Sequence, residues 1–240
     1  MIFLLLTVAG SVNAQPYYFR HFQVESGLSN NSVFCSAQDK NGFVWFGTKD
    51  GLNRFDGYRF KTFNINADDE SSLERDLILS IATDQNGTLW VGTQKGLYRF
   101  DAEKERLVPF IDTLYNINDV YIDSKNQLWF ISALAVYHYN FNTKQLIRVA
   151  PEENFAATSL FELNRTLWVS SHDGFLYKLD LGTNRSTSYD VFAHSPSPSY
   201  RWIEKIFPGD NGSILIGTSS QGIKQFDIAS EAYQDLLSYN

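Results

Sequence analysis

With 240 residues the chain is long enough to enclose one sizeable core. Its 20 basic against 27 acidic residues leave a net charge of −7, which argues against the basic face that nucleic-acid binding uses. One cysteine excludes an internal disulfide framework, and no apolar run reaches the ~18 residues of a transmembrane helix.

The first element, residues 1–14, reads as a signal peptide: Ile2–Ala9 is apolar, and Val12-Asn13-Ala14 offers a small-residue cleavage site before Gln15. It departs from the usual pattern because no Lys or Arg precedes Arg20, and a first strand of the fold is the alternative. Residues 15–240 then form one repetitive domain. Tyr18-Phe19-Arg20-His21-Phe22 matches the later outer strand Tyr58–Phe63 and is expected to be an orphan strand ahead of the first complete unit.

That unit alternates Val33, Cys35 and Ala37 with Phe34 and Ser36, the period-2 pattern of a half-buried strand. Asp39-Lys40-Asn41-Gly42 supplies turn chemistry, Phe43–Phe46 a short aromatic and β-branched strand, and Gly47-Thr48-Lys49-Asp50-Gly51 a second turn. Leu52–Phe55 and Tyr58–Phe63 complete four strands. The motif at 39–56 (DKNGFVWFGTKDGLNRFD) returns at 84–101 (DQNGTLWVGTQKGLYRFD), and more loosely at 123–140, 163–180 and 209–227. Its anchor is Trp45, Trp90, Trp129 and Trp168, then Leu215, a period of roughly forty residues. No copy has the i, i+3, i+4 spacing of an amphipathic helix. The fold is therefore all-β: a β-propeller of four-stranded antiparallel blades, about five of them present, as a partial ring of a seven-bladed propeller. The last blade ends near Ala232–Leu236 and carries its own outer strand.

The repeated residues read as framework. The Trp is expected to pack between neighbouring sheets, and the Gly-Thr after it to allow close blade contact. Cys35 reads as a small buried hydrophobe. The Asp-x-Asn-Gly stretches lack the further carboxylates of a calcium loop and read as tight turns. The sequons at Asn30, Asn86, Asn164, Asn184 and Asn211 mostly fall on turn positions. His21, His138, His172 and His194 show no zinc spacing, and no nucleophile elbow or phosphate loop is present. No catalytic residue, metal or cofactor is expected.

Binding residues are sought on the face where the loops before the inner strands meet those between second and third strands. Asn31, Asp76, Tyr115, Asn154 and Arg201 fall on the first set, and Asp50, Lys95, His172 and Gln221 on the second. They vary in type while the framework around them is fixed, as on a scaffold with a tailored surface. The candidate binding residues are Asp50, Asp76, Lys95, His172, Tyr200, Arg201 and Trp202; the last three offer a guanidinium and rings for a sugar bearing a carboxylate or sulfate. Trp202 aligns with Leu77, so a core role competes.

The run Phe22–Val33, followed by Gln38–Thr48 and Gly51-Leu52-Asn53-Arg54-Phe55-Asp56-Gly57, resembles the two-component regulator propeller repeats in the N-terminal sensor region of hybrid two-component systems of Bacteroidetes. The resemblance covers the chain after residue 14. It is specific in the first two blades and weaker in the third, at Ile131–Leu134, and in the fifth, at Leu215. It implies a periplasmic sensor of glycan fragments within a longer membrane protein, with a histidine kinase and DNA-binding output outside these residues. The implied partners are an oligosaccharide, the remaining blades and downstream domains, and a second copy in a homodimer; no nucleic acid is bound by this chain. A propeller lyase similar to streptogramin lyases and a protein-binding scaffold are the competing readings.

Overall fold

The computed structural model describes residues 18–64, 77–149, 155–180, 185–193 and 201–237. The expected signal peptide at 1–14 lies outside them, as do Asp76, Asn154 and Tyr200. Among the described residues twenty strands form five sheets of four, each antiparallel and paired in chain order. Blade 1 is β1 (Val33–Gln38), β2 (Val44–Thr48), β3 (Gly51–Phe55) and β4 (Phe60–Phe63); blade 2 is β5 (Ile78–Thr83), β6 (Leu89–Thr93), β7 (Leu97–Asp101) and β8 (Arg106–Ile111). Blade 3 is β9 (Ile117–Ile122), β10 (Leu128–Ser132), β11 (Ala135–Asn140) and β12 (Gln145–Val149). Blade 4 is β13 (Ala157–Leu163), β14 (Thr166–Ser171), β15 (Phe175–Asp180) and β16 (Arg185–Asp190); blade 5 is β17 (Ile203–Pro208), β18 (Ser213–Thr218), β19 (Ile223–Asp227) and β20 (Ala232–Leu237).

One side chain organises each of the first three inner turns. Asp39 accepts hydrogen bonds from the amides of Asn41 and Phe43 through Oδ1 and from the Trp45 indole through Oδ2 at 2.8 Å. Asp84 does the same for Asn86, Thr88 and Trp90, and Asp123 for Lys125, Gln127 and Trp129. The carboxylate is spent on the turn, as expected of tight turns rather than calcium loops. In blade 4 the register position of this Asp belongs to Leu163. The hairpin there is a shorter turn with Asn164 and Arg165 at φ 53° and 62°, the two positive values a type I′ turn requires. Trp168 keeps its place at 1% exposure, but its Nε1 finds no acceptor among the described residues. Blade 5 has lost both partners, with Gly209 and Leu215 in the two positions.

The Trp side chains pack between sheets, as the repeat predicted. Trp45 sits in a core shared by blades 1 and 2, Trp90 in that of blades 2 and 3, Trp129 in that of 3 and 4, and Trp168 in that of 4 and 5. Burying each such ring contributes roughly 1.5–3 kcal/mol or more. The glycine two residues on permits the close approach: a Cβ on Gly47 would lie 2.6 Å from an Ile78 methyl, and one on Gly92 2.7 Å from the Ile117 carbonyl. Thr48 and Thr93 close the next turn by donating to the carbonyls of Gly51 and Gly96. Cys35 packs against this first core, and burial pushes its thiol up to about 12.

Among the described residues, four such cores join the five blades in series, and none joins blade 5 to blade 1. At one register position Val91, Phe130, Val169 and Ile216 are wholly buried, whereas Phe46 in blade 1 is partly exposed. At the other end Phe207 is 52% exposed, and a Cβ on Gly217 would meet nothing closer than the Lys205 carbonyl at 3.6 Å. The orphan strand expected at Tyr18–Phe22 does not form: residues 18–23 are not strand, and Tyr18 and Phe19 are exposed, because among the described residues no neighbouring strand offers them a hydrogen-bond ladder. Phe22 alone keeps the expected role. It packs edge-on to Phe55 with ring centroids 5.0 Å apart, as Phe63 of blade 1 packs on Phe100 of blade 2 at 4.9 Å.

Candidate functional site

Every inner strand carries a register irregularity after its first residue: between Val33 and Cys35, Ile78 and Ser80, Ala157 and Ser159, and Ile203 and Lys205, with the matching one in β9 opposite Ile131 and Ser132. A bulge re-aims the side chain it releases. Phe34, Leu79, Asn118, Thr158 and Glu204 occupy these positions, and all five line one central cavity of about 700 Å³. Each blade thus contributes one residue of different chemistry to the same space.

The next residues, Ser80, Asp119 and Lys205 in the cavity wall and the wholly buried Ser159 behind it, form a polar belt. Asp119 is 3% exposed, and its carboxylate accepts from Ser159 Oγ and the Leu160 amide, each at 3.0 Å, and from Lys205 Nζ at 2.6 Å. Ser80 Oγ donates to the same carboxylate at 3.4 Å and accepts from the Val120 amide, while Ser159 Oγ accepts from the Ile206 amide at 3.4 Å. A carboxylate this deep is tolerable only because it is paired and hydrogen-bonded. The pair links blade 5 to blade 3. Sequence reasoning missed this belt; its signal was a polar side chain or thiol in the same register in every blade, Cys35 included. Cys35 itself stays protonated near neutral pH and supplies no thiolate nucleophile.

The residues picked from sequence fall in separate places. Asp50 accepts from Asn30 Nδ2 at 2.7 Å in the β2–β3 turn, and Lys95 occupies the equivalent turn of blade 2, its amide bonded to Thr93 Oγ1. His172, Arg201 and Trp202 come together at the blade 4–5 edge. The His172 and Trp202 rings lie 4.1 Å apart, and Trp202 is 41% exposed. Arg201 lies over Phe175 and Phe192, donates from Nη2 to the Asp190 carboxylate and from Nε to the Asp173 carbonyl at 2.9 Å. Its guanidinium is therefore largely committed to stitching blade 4 to the start of β17. Two register assignments are corrected. The residue two before β13 is Phe155, not Asn154, and it packs on Tyr177 at 4.7 Å. The turn position of Asp50 is held in blade 4 by Asp173, not His172. Loops of unequal length caused both shifts.

The family model described as "Two component regulator propeller" matches residues 27–50 and 72–95, in blades 1 and 2. A histidine kinase, "Histidine kinase P4" of Formosa agariphila, is 38% identical over 71 residues, which is 30% of this chain and 5% of that protein. The extracellular domain of a putative hybrid two-component system from B. thetaiotaomicron is similar over 93% of this chain, at 25% identity and a TM-score of 0.75. The chain spans 32% of that domain's length. Virginiamycin B lyase from Staphylococcus aureus shares the fold at 14% identity and a TM-score of 0.67, over 86% of this chain and 70% of the lyase. No helix among the described residues is long and apolar enough to cross a membrane. The described residues form five blades of a β-propeller, and the two-component regulator propeller model matches within the first two of them.

Proposed function

We propose that the chain is part of the sensor region of a hybrid two-component system, exported to the periplasm, where it holds or helps to hold a glycan fragment without catalysis. The observation that carries this reading is the match of regulator-propeller repeats to blades 1 and 2, within a fold shared with an extracellular sensor domain over 93% of the chain. The five bulge residues of the cavity and the His172–Trp202 edge are the surfaces on which such a ligand has both rings and polar groups to meet. Asp50, Asp76, Lys95, Tyr200 and Arg201 belong to the same proposal as residues of the loop face. The remaining blades, the downstream domains and a second copy are the proposed protein partners. Binding would signal by favouring one arrangement of domains, because a ligand shifts an equilibrium only through differential affinity. Titration calorimetry of the complete ectodomain against a panel of glycan fragments tests the reading, and a panel without a single binder ends it.

The lyase fold favours a second reading, a stand-alone lyase. Mass spectrometry of a streptogramin incubated with the chain decides it: a linearised product supports the lyase, and an unchanged antibiotic leaves the sensor.

A further inference from the structure

Two successive blade interfaces treat one outer groove differently. Between blades 1 and 2, Arg54 lies over the rings of Phe43, Trp45 and Phe63 at 4.9, 5.6 and 5.4 Å. It pairs at 3.4 Å with Glu105, from the β7–β8 turn, which also accepts from Lys61 Nζ at 2.5 Å. The Lys61 hydrogen bond holds the Glu105 carboxyl below its ordinary value. The groove there is closed by the protein's own carboxylate.

Between blades 2 and 3 the Arg and the Trp recur but the carboxylate does not, and Phe43, Lys61 and Phe63 give way to Thr88, Val108 and Ile111. Arg99 stands opposite Trp90 as Arg54 stands opposite Trp45. Trp90 packs against Phe110 at 4.7 Å and Phe141 at 5.9 Å, which supplies the aromatic wall. The turn position of Glu105 is taken by Lys144, and both residues have the left-handed backbone, φ 47° and 54°. What remains is an open groove of about 480 Å³ lined by Arg99, Trp90, Phe110, Phe141, Lys125 and Gln127, among others. The Asp84 carboxylate also faces it, but accepts from two turn amides and the Trp90 indole. Arg99 is exposed and, among the described residues, pairs with no carboxylate. Its charge reaches Asp101, whose Oδ1 is taken by the amides of Glu103 and Lys104.

We propose that this groove binds a small ring-shaped ligand bearing a carboxylate, which takes at Arg99 the place that Glu105 takes at Arg54. Guanidinium and carboxylate match in geometry and charge, and the aromatic wall receives the ring. The site lies apart from the central cavity and from the blade 4–5 edge, and it does not depend on the chain being a sensor.

The test is titration of the full chain with D-glucuronate, followed by the chemical shifts of the Trp90 indole, with D-glucose as the uncharged control. Glucuronate is expected to shift that signal saturably and glucose to leave it unmoved. Arg99→Ala is expected to weaken glucuronate binding about tenfold or more, with unchanged thermal unfolding because the side chain is exposed. Lys144→Glu, which returns a carboxylate to the turn, is expected to compete for Arg99 and weaken binding comparably, while Arg54→Ala leaves it intact. A wild-type chain that ignores glucuronate, a glucose response of equal strength, or equal binding by Arg99→Ala each overturns the proposal.

Discussion

Blades 1 to 3 and blade 4 place the same indole in the same kind of core, but only the first three give its N–H an acceptor. Trp129 donates to Asp123 at 3.0 Å, whereas Trp168, no less buried, donates to nothing among the described residues. Apolar packing between sheets is evidently enough to hold the ring. The Asp adds a link between the turn and the interface, and where the turn shortens to a type I′ hairpin that link is dropped without loss of the blade. Blade 5 completes the series, lacking both Asp and Trp, and among the described residues no core lies on its far side.

The largest effect that tests this contrast between inner and terminal positions is Trp129→Ala. Urea unfolding should show a loss of about 3–5 kcal/mol, against less than about 2 kcal/mol for Leu215→Ala, whose side chain is only partly buried. Equal losses would mean that blade 5 is covered in solution. Next, Gly92→Ala should cost about 1–3 kcal/mol because its Cβ meets the Ile117 carbonyl at 2.7 Å. Gly217→Ala, whose Cβ would make only an ordinary contact with the Lys205 carbonyl at 3.6 Å, should stay within about 0.5 kcal/mol of the wild type. Smaller still, Trp129→Phe should cost about 1 kcal/mol more than Trp168→Phe, since only the former leaves a carboxylate oxygen short of a donor; identical costs would deny the Asp–Trp link any energetic role.

The smallest effect concerns His138, which stacks on Trp129 at 4.3 Å. Burial lowers its pKa from 6.5, with the Asp123 charge opposing. The unfolded chain therefore binds more protons in this range, so the contribution is complete above about pH 6.5 and lost as pH falls through the lowered folded value. Unfolding of wild type and His138→Leu between pH 7.5 and 5 should show a shallower acid limb in the variant.

The blades were legible because parts of one motif return about every forty residues, the Trp in four blades, the turn Asp in three and the Gly-Thr in blades 1, 2 and 5, and each has a local physical reason to recur. The failures came where meaning depends on a partner far along the chain. Tyr18–Phe22 has a strand's residues, but a strand needs a neighbour to bond with, and only the Phe22 contact survived. Arg201 and Trp202 were visible as unusual residues, yet the commitment of Arg201 to Asp190 depends on how β16 ends beside β17. Asp119 and Lys205 stand 86 positions apart and meet only because five inner strands converge on one cavity.

The belt around Asp119 also bears on how the molecule opens. The amides of Val120, Leu160 and Ile206, one from each of blades 3, 4 and 5, are each bonded to a belt side chain: Ser80, Asp119 and Ser159 in turn. Freeing any one of them disturbs the bonds that hold the others. In deuterated water these three amides are expected to exchange together, as one unit that spans three blades, rather than blade by blade.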